Sequence, residues 1–136
     1  MQFEPRVGCG AAIIRDGRIL LIQRLTPPEA GAWGLPGGKI DLFEEAATAT
    51  QREIEEEIGL AIEPRELLCC VDQIDRGAGT HWVAPVFLIE GFSGTPTIRE
   101  PAKHGGLGWF VLEELASEIT TPTRVAVAAL LRRAAE

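Results

Sequence analysis

Two apolar segments near the start of the chain have the length and boundaries of β-strands. They read VGCGAAII at residues 7–14 and ILLIQR at residues 19–24, and the pair Asp16-Gly17 lies between them. Short apolar runs bounded by turn residues are typical of buried strands, and Asp-Gly is a favoured hairpin turn. We therefore predict a hairpin, followed by a loop over residues 25–41, where glycine and proline are frequent.

The middle of the chain changes from a helical to an extended pattern. Apolar residues recur at helical spacing over Glu44–Ile58, and Gly59 follows as a natural C-cap. Two further strands are predicted at Glu66–Asp75 and His81–Gly91, and residues 92–106 are predicted to be mainly loop.

The last third of the chain predicts a short strand and two helices. The strand covers Gly108–Leu112 and the first helix Glu113–Glu118. Thr121 followed by Pro122 is typical of a helix start and opens a helix over residues 123–134. Strands and helices are mixed without regular alternation, so we expect an α+β fold or a three-layer α/β/α sandwich with a mixed sheet rather than a Rossmann fold.

Length and charge narrow the class of protein. The 136 residues suit one domain over residues 1–136, and no apolar run approaches the roughly 20 residues that cross a membrane. The net charge of −7 disfavours stable nucleic-acid binding, which needs basic groups to neutralise phosphates. No apolar leader opens the chain, so we expect a cytoplasmic protein without membrane contact.

Three glutamates of the predicted helix over 44–58 share one face. On a helical wheel, Glu56 and Glu57 fall within about 60° of Glu53, beside a separate apolar stripe that contains Ile54 and Ile58. Such a cluster forms either a solvated acidic surface or a site for a hard divalent cation such as Mg²⁺ or Mn²⁺. The wheel alone leaves both interpretations open.

The residues around this helix match a longer pattern. The segment from Gly38 to Leu60 fits G-x5-E-x7-R-E-U-x-E-E-x-G-U, where U is a bulky aliphatic residue, at all nine specified positions. This pattern is the Nudix box, and the chain resembles the Nudix hydrolases of the MutT-like kind. The predicted elements outside residues 38–60 also follow the order of that fold.

The resemblance implies a metal-dependent hydrolase that cleaves a nucleoside diphosphate linked to a further moiety. In the family, the box glutamates bind Mg²⁺, for which Mn²⁺ can substitute, and these correspond to Glu53, Glu56 and Glu57. A backbone carbonyl at Gly37 or Gly38 commonly completes the coordination. The resemblance thus assigns a function to the glutamates that the wheel places together.

The same resemblance implies supporting roles for two further residues of the box. Arg52 corresponds to the residue that orients the carboxylates, and Glu44 supports either Arg52 or a metal. A carboxylate that does not hold the metal can take a proton from the attacking water, and we expect Glu53 or Glu56 to do so. Relatives often supply another ligand or base before the late tryptophan strand, for which Glu100 and His104 are the candidates.

Candidates for substrate contacts lie outside the box. Trp33, His81 and Trp82 could each stack on a nucleobase or simply pack against the protein. Arg24, just before the glycine-rich loop, could contact a phosphate or sugar or form a surface ion pair.

We expect a (deoxy)nucleoside triphosphate as substrate, cleaved to monophosphate and pyrophosphate. The basis is that residues 72–80 contain no proline and the chain no tyrosine, which relatives acting on ADP-ribose or diadenosine polyphosphates carry after the box. The alternatives are ADP-ribose or another nucleoside-diphosphate sugar, and a non-catalytic module that binds nucleotide or RNA. The resemblance to the family is also compatible with a homodimer.

Overall fold

The computed structural model describes residues 1–115 and 118–136. Its strands are β1 (Arg6–Arg15), β2 (Arg18–Arg24), β3 (Trp33–Gly34), β4 (Gly37–Lys39), β5 (Ala61–Ile62), β6 (Glu66–Asp75), β7 (Thr80–Ile89), β8 (Phe92–Ser93) and β9 (His104–Val111). Its helices are α1 (Ala46–Ile58) and α2 (Thr121–Ala134). Within the described ranges, neither helix is long and apolar enough to cross a membrane.

Seven of these strands form one mixed sheet. The order is β3-β2-β1-β7-β6, with β4 paired to β1 and β9 paired to β2. β1 and β7 are parallel, whereas the other pairs are antiparallel. The predicted hairpin between β1 and β2 forms at Asp16 and Gly17, which both have positive φ, as a tight two-residue turn requires. β5 and β8 form a separate small ladder.

The two helices pack on opposite faces of the large sheet. Ile54 and Ile58 of α1 are fully buried in one apolar cluster, to which β1 contributes Ile13. Ala126 of α2 lies in the second cluster, to which β1 contributes Ala12. Successive side chains of a strand point to opposite faces, so β1 supplies both clusters. The expected α/β/α sandwich with a mixed sheet is confirmed.

Element boundaries differ from the sequence expectations at several points. Helix α1 begins at Ala46 rather than at Glu44, and Thr120, not Thr121, caps α2 by accepting a hydrogen bond from the Thr123 amide. Strand β9 begins at His104 because it continues along β2, so the expected loop over 92–106 is partly strand. The short strands β3, β4 and β8 also lie in segments predicted to be loops.

The short helix predicted at Glu113–Glu118 includes residues 116–117, which lie outside the described residues. Leu112 and Glu113 are in a turn and Glu114 is in a bend. The described part of that segment is therefore not helical.

The position of β4 brings the glycine pair of the box against α1. Gly38 pairs with Cys9 of β1, and a Cβ atom built on Gly38 would lie 2.3 Å from the Glu53 carboxylate. A Cβ on Gly37 would lie 2.1 Å from the carbonyl oxygen of Cys9. Only glycine permits the backbone of β4 to approach both β1 and the acidic helix so closely.

Candidate active site

Arg52 is the centre of an ion-pair network on α1. Its Nε and Nη2 atoms donate to the two Glu44 carboxylate oxygens at 2.8 and 2.9 Å, which is a bidentate pair. Its Nη1 donates to Glu53 at 2.9 Å and more weakly to Glu56 at 3.4 Å, and Nη2 also donates to the Lys39 carbonyl at 3.0 Å. One guanidinium therefore orients three carboxylates and the backbone of β4.

The network shifts the pKa values of its carboxyl groups in opposite directions. The hydrogen bond from Arg52, supported by the Asp41 amide, lowers the pKa of Glu44 from 4.5 to about 2. Burial raises the pKa of Glu53, the hydrogen bond from Arg52 opposes this rise, and the nearby Glu57 charge adds to it. The pKa of Arg52 itself is raised, chiefly by its hydrogen bond to Glu44. Glu44 is thus fixed as an anion, whereas Glu53 binds a proton more readily than an ordinary glutamate.

Glu44 reaches Arg52 because it precedes the helix. The Glu44 amide donates to the Asp41 carbonyl at 3.0 Å, and the Asp41 amide donates to the Glu44 carboxylate at 3.1 Å, so residues 41–44 form a closed turn. This turn places Phe43 at a φ of 68° with 96% of its surface exposed, an uncommon backbone conformation for a bulky residue. Its closure holds the Glu44 side chain toward Arg52.

Glu57 lies in a second, buried part of the site. One of its oxygens accepts a hydrogen bond from the Gly37 amide at 2.7 Å, and the other lies 3.2 Å from His104 Nε2. Glu57 and His104 are each only 6% exposed. Glu100 completes this group, because the candidate ligand atoms of Glu57, Glu100 and His104 lie within 4.8 Å of one another.

Arg99 anchors the loop that carries Glu100 to the end of α1. Its amide donates to the Glu57 carbonyl at 3.0 Å, and its Nη1 donates to the Glu55 carbonyl at 3.2 Å. A Cβ on Gly59 would lie 2.8 Å from the Arg99 Nε, so the box glycine leaves room for the guanidinium as well as capping the helix. This contact was not predicted, because an arginine in a loop has no sequence pattern of its own.

The donors of the site fit a hard divalent cation. They are carboxylate oxygens with one imidazole, and the carboxylate oxygens are the ligands that suit Mg²⁺ or Mn²⁺. In the part of the chain that the structure describes, the compact group is Glu57, Glu100 and His104, while Glu53 and Glu56 are turned toward Arg52. The structure thus brings His104 and Glu100, both considered from the sequence, up to the box carboxylate of Glu57.

A cavity of about 260 Å³ adjoins the other side of the glycine pair. It lies on the sheet face that carries Val86, and Arg24 and Trp82 contribute to its wall. The full lining is Gly8, Cys9, Gly10, Arg24, Pro28, Leu35, Gly37, Gly38, Gln73, Trp82, Ala84, Val86 and Pro122. A second cavity of about 670 Å³ continues from it and shares Pro28, Gln73 and Trp82. Together they form a groove that ends at β4.

The loop after β2 forms one wall of this groove. Arg24 donates to the carbonyls of Pro28 at 2.7 Å and Pro27 at 3.3 Å, which fixes the loop against its own strand. The Glu29 carboxylate accepts from the Thr121 amide at 3.2 Å and from the Thr121 hydroxyl at 2.9 Å, at the start of α2. The wall is therefore attached to both the sheet and the second helix.

The remaining aromatic candidates lie elsewhere. The Trp33 ring packs edge-on against Phe110, with centroids 4.9 Å apart, and lies in the apolar cluster under α2. His81 is next to Trp82 on β7, points to the opposite face and lines a different cavity with Gln2. Of the three candidate base contacts, the structure places Trp82 at the groove and places Trp33 and His81 outside the groove residues named above.

The chain is similar to proteins of known family. A family model described as the NUDIX domain matches residues 4–133. A solved MutT NUDIX hydrolase from Burkholderia pseudomallei is 57% identical with a TM-score of 0.92, covering 94% of this chain and 99% of that one.

Relatives with named substrates are less similar. An ADP-ribose pyrophosphatase from Methanocaldococcus jannaschii is 33% identical over 76% of this chain, and the match spans only 61% of that protein. A CTP pyrophosphohydrolase from Escherichia coli is 36% identical over 76% of this chain and 75% of its own length. The box, the sandwich fold and these similarities agree, and the chain belongs to the Nudix hydrolase family.

Proposed function

We propose that this chain hydrolyses a nucleoside triphosphate to the monophosphate and pyrophosphate, with Mg²⁺ as its cation and Mn²⁺ as a substitute. The observation that carries the proposal is the two-sided contact of β4. Gly37 and Gly38 line the cavity beside Trp82, and the same two residues touch Glu57 and Glu53. A nucleotide with its base in the groove would have its phosphates beside the carboxylates.

The box residues have different roles in the proposed reaction. We assign the cation to Glu53, Glu56 and Glu57 together with the Gly38 carbonyl, and a supporting position to Glu100 and His104. A bound divalent cation neutralises phosphate oxygens and lowers the pKa of a water molecule. Arg52 restricts Glu53 and Glu56 to the face of α1 beside Glu57, which limits the rearrangement that cation binding would require.

The reaction needs one base and one leaving group. The water oxygen bonds to phosphorus, the phosphoanhydride P–O bond breaks, and pyrophosphate leaves with the bonding electron pair. The proton passes to Glu53 or Glu56, whichever of the two leaves an oxygen free of the cation.

A cation also reconciles the charge of the protein with its substrate. The chain has a net charge of −7, and its box contributes a cluster of carboxylates where phosphates are expected. Metal ions held by those carboxylates would present positive charge to the polyphosphate. We therefore expect no nucleotide hydrolysis after the divalent cation is removed with a chelator.

The size of the groove supports a second candidate, ADP-ribose or another nucleoside-diphosphate sugar. The cavity of about 670 Å³ beyond Trp82 offers room for a second sugar, and one relative is named for ADP-ribose. This candidate keeps the same carboxylates and the same bond cleavage. Only the group beyond the diphosphate changes.

A product panel separates these candidates. Ordinary, oxidised and methylated nucleoside triphosphates, ADP-ribose and dinucleoside polyphosphates are incubated with Mg²⁺, and products are resolved by chromatography. The Glu56→Gln/Glu57→Gln variant is the blank. Monophosphate plus pyrophosphate supports the first proposal, AMP plus ribose phosphate supports the second, and the absence of products with folded protein contradicts both. The cytoplasmic location and the homodimer remain predictions.

A further inference from the structure

One glutamine in the groove differs from the others in the chain. Gln2, Gln23 and Gln51 each donate from the side-chain amide to a backbone carbonyl. Among the described residues, Gln73 is the glutamine whose amide has no hydrogen-bond partner, although it is half-buried and lines both cavities. An amide carries two donor hydrogens and one acceptor oxygen, so Gln73 offers both kinds of hydrogen bond to a bound molecule.

Gln73 lies directly beside the aromatic side chain of the groove. It is the cross-strand partner of Trp82 in the antiparallel pair of β6 and β7. Directly opposed residues project from the same face of a sheet, with Cβ atoms about 5 Å apart. Trp82 is itself supported by the Arg6 guanidinium, 6.0 Å from its ring centre. A base stacked on Trp82 would therefore have its edge within reach of the Gln73 amide.

The second cavity also carries charged side chains. Glu29 and Asp75 line it with carboxylates, against the guanidinium of Arg76. Glu29 accepts from the Thr121 amide and hydroxyl, which occupy its Oε1 atom, and Asp75 Oδ1 accepts from the Ala78 amide. Lone pairs remain for a ligand on Glu29 Oε2 and on the Asp75 carboxylate. Such surroundings favour a ligand edge that donates hydrogen bonds, and the exocyclic amino group of a nucleobase is such a donor.

We infer that Gln73 binds the edge of a nucleobase stacked on Trp82, and that the adjoining carboxylates of Glu29 and Asp75 give a preference for bases that carry an exocyclic amino group. This inference rests on the proposed function and extends it to a substrate class, the amino-bearing nucleotides. The Gln73 oxygen accepts from the amino group, and its amide donates to the adjacent ring nitrogen. A base with a carbonyl oxygen in place of the amino group cannot donate a hydrogen bond to the carboxylates of Glu29 and Asp75.

Matched nucleotide pairs test this inference. CTP and UTP differ at the 4-position by an amino group and an oxygen, and ATP and ITP differ in the same way at the 6-position. We expect the wild type to favour the amino member of each pair in kcat/KM by about five- to tenfold, the effect of one net hydrogen bond. A wild type without preference, or with the opposite preference, overturns the inference.

Two variants of Gln73 separate base binding from base preference. Gln73→Met removes the hydrogen bonds at similar length and should lower kcat/KM about five- to tenfold for CTP and UTP alike, because the free amide can rotate to serve either base. Gln73→Glu keeps an acceptor for the amino group and repels a carbonyl, so it should widen the ratio. If Gln73 had a merely structural role, Gln73→Glu would leave the CTP/UTP ratio of the wild type unchanged, and that result contradicts the inference.

Controls distinguish specificity from fold and from turnover. Asp72→Asn, an exposed neighbour on the opposite face of β6, should leave the ratio unchanged. Calorimetric binding of CMP and UMP measures base preference without hydrolysis. Absence of turnover with all nucleotides would overturn the proposed function, whereas the CMP/UMP preference and its response to the Gln73 variants would still decide the role of Gln73.

Discussion

The carboxylate network around Arg52 and the groove beside Trp82 meet at β4 but satisfy their polar groups differently. Arg52 donates to Glu44, Glu53 and Glu56, and both oxygens of Glu57 have protein partners, so the network is organised before any ligand arrives. In the groove, the Gln73 amide has no partner among the described residues. The comparison indicates that the carboxylates already have hydrogen-bond partners within the protein. The Gln73 amide, which we assign to substrate recognition, has none among the described residues.

The largest effect is expected from breaking the network at Glu57. Glu57→Gln keeps an oxygen for the Gly37 amide but removes the charge that would hold a cation. We expect kcat to fall about a thousandfold, because a bound cation contributes several kcal/mol to the transition state. Steady-state assays with circular dichroism check this, and Glu55→Gln, an exposed neighbour on α1, is the matched control. Activity within threefold of the wild type would remove Glu57 from the cation site.

The next effect tests whether the geometry of Arg52, and not only its charge, organises the network. Arg52→Lys retains the positive charge but loses the bidentate pair to Glu44 and leaves three carboxylates poorly separated. We expect the free energy of unfolding to fall by about 2 kcal/mol in urea titrations. Arg65→Lys, at an exposed ion pair, should change it by less than about 0.5 kcal/mol. Equal effects at both positions would contradict the prediction.

A third change addresses the groove. Trp82→Leu removes the stacking surface, and we expect KM for the nucleotide to rise about tenfold with kcat nearly unchanged. Trp33→Leu should instead lower the free energy of unfolding without raising KM, because Trp33 packs against Phe110. If Trp82→Leu changed both kcat and KM, that result would contradict the proposed division between substrate binding in the groove and catalysis at the carboxylates.

A fourth change concerns the turn over residues 41–44, which positions the Glu44 side chain toward Arg52. Phe43→Gly should raise the free energy of unfolding by about 0.5–1 kcal/mol, because glycine adopts the φ of 68° without the strain that a side chain imposes. Leu42→Gly, at an adjoining exposed position that lacks a positive φ, should lower it. Thermal unfolding of both variants checks the sign, and destabilisation by Phe43→Gly would show that the ring has an unrecognised contact.

The smallest effect should appear as a pH dependence of stability. The pKa of Glu44 is lowered from 4.5 to about 2 in the folded protein, so the ionised group stabilises the fold above pH 4.5. This contribution should disappear as the pH falls from 4.5 to 2, because protonation breaks the pair with Arg52. Urea titrations at pH 7 and pH 2.5 should show a smaller loss of stability in Glu44→Gln than in wild type. Identical losses would contradict the lowered pKa.

The sequence predicted the parts of the site that depend on local spacing. Glu53, Glu56 and Glu57 were predicted to share a face because helical geometry relates residues three and four apart. Glu100 and His104 were considered because they precede the late tryptophan strand, and the structure places both beside Glu57.

Contacts between distant segments could not be read from the sequence. The contact of Arg99 with the Glu55 carbonyl joins residues 44 positions apart. The position of Gln73 beside Trp82 depends on the register of β6 and β7, and a shift by one residue would turn either side chain to the opposite face. The choice between a base contact and packing stayed open for Trp33, because the pairing that places it against Phe110 was unknown.

The backbone of Gly37 and Gly38, which lies between the carboxylates and the groove, has an evolutionary consequence. On one side of this backbone lie the carboxylates, and on the other lies the groove, with no side chain between them. Substitutions in the groove can therefore accumulate without disturbing the carboxylates that we assign to bond cleavage. A duplicated copy of such a gene could change its nucleotide in a few steps while retaining its chemistry, and laboratory selection for a new substrate should find its mutations on β6 and β7.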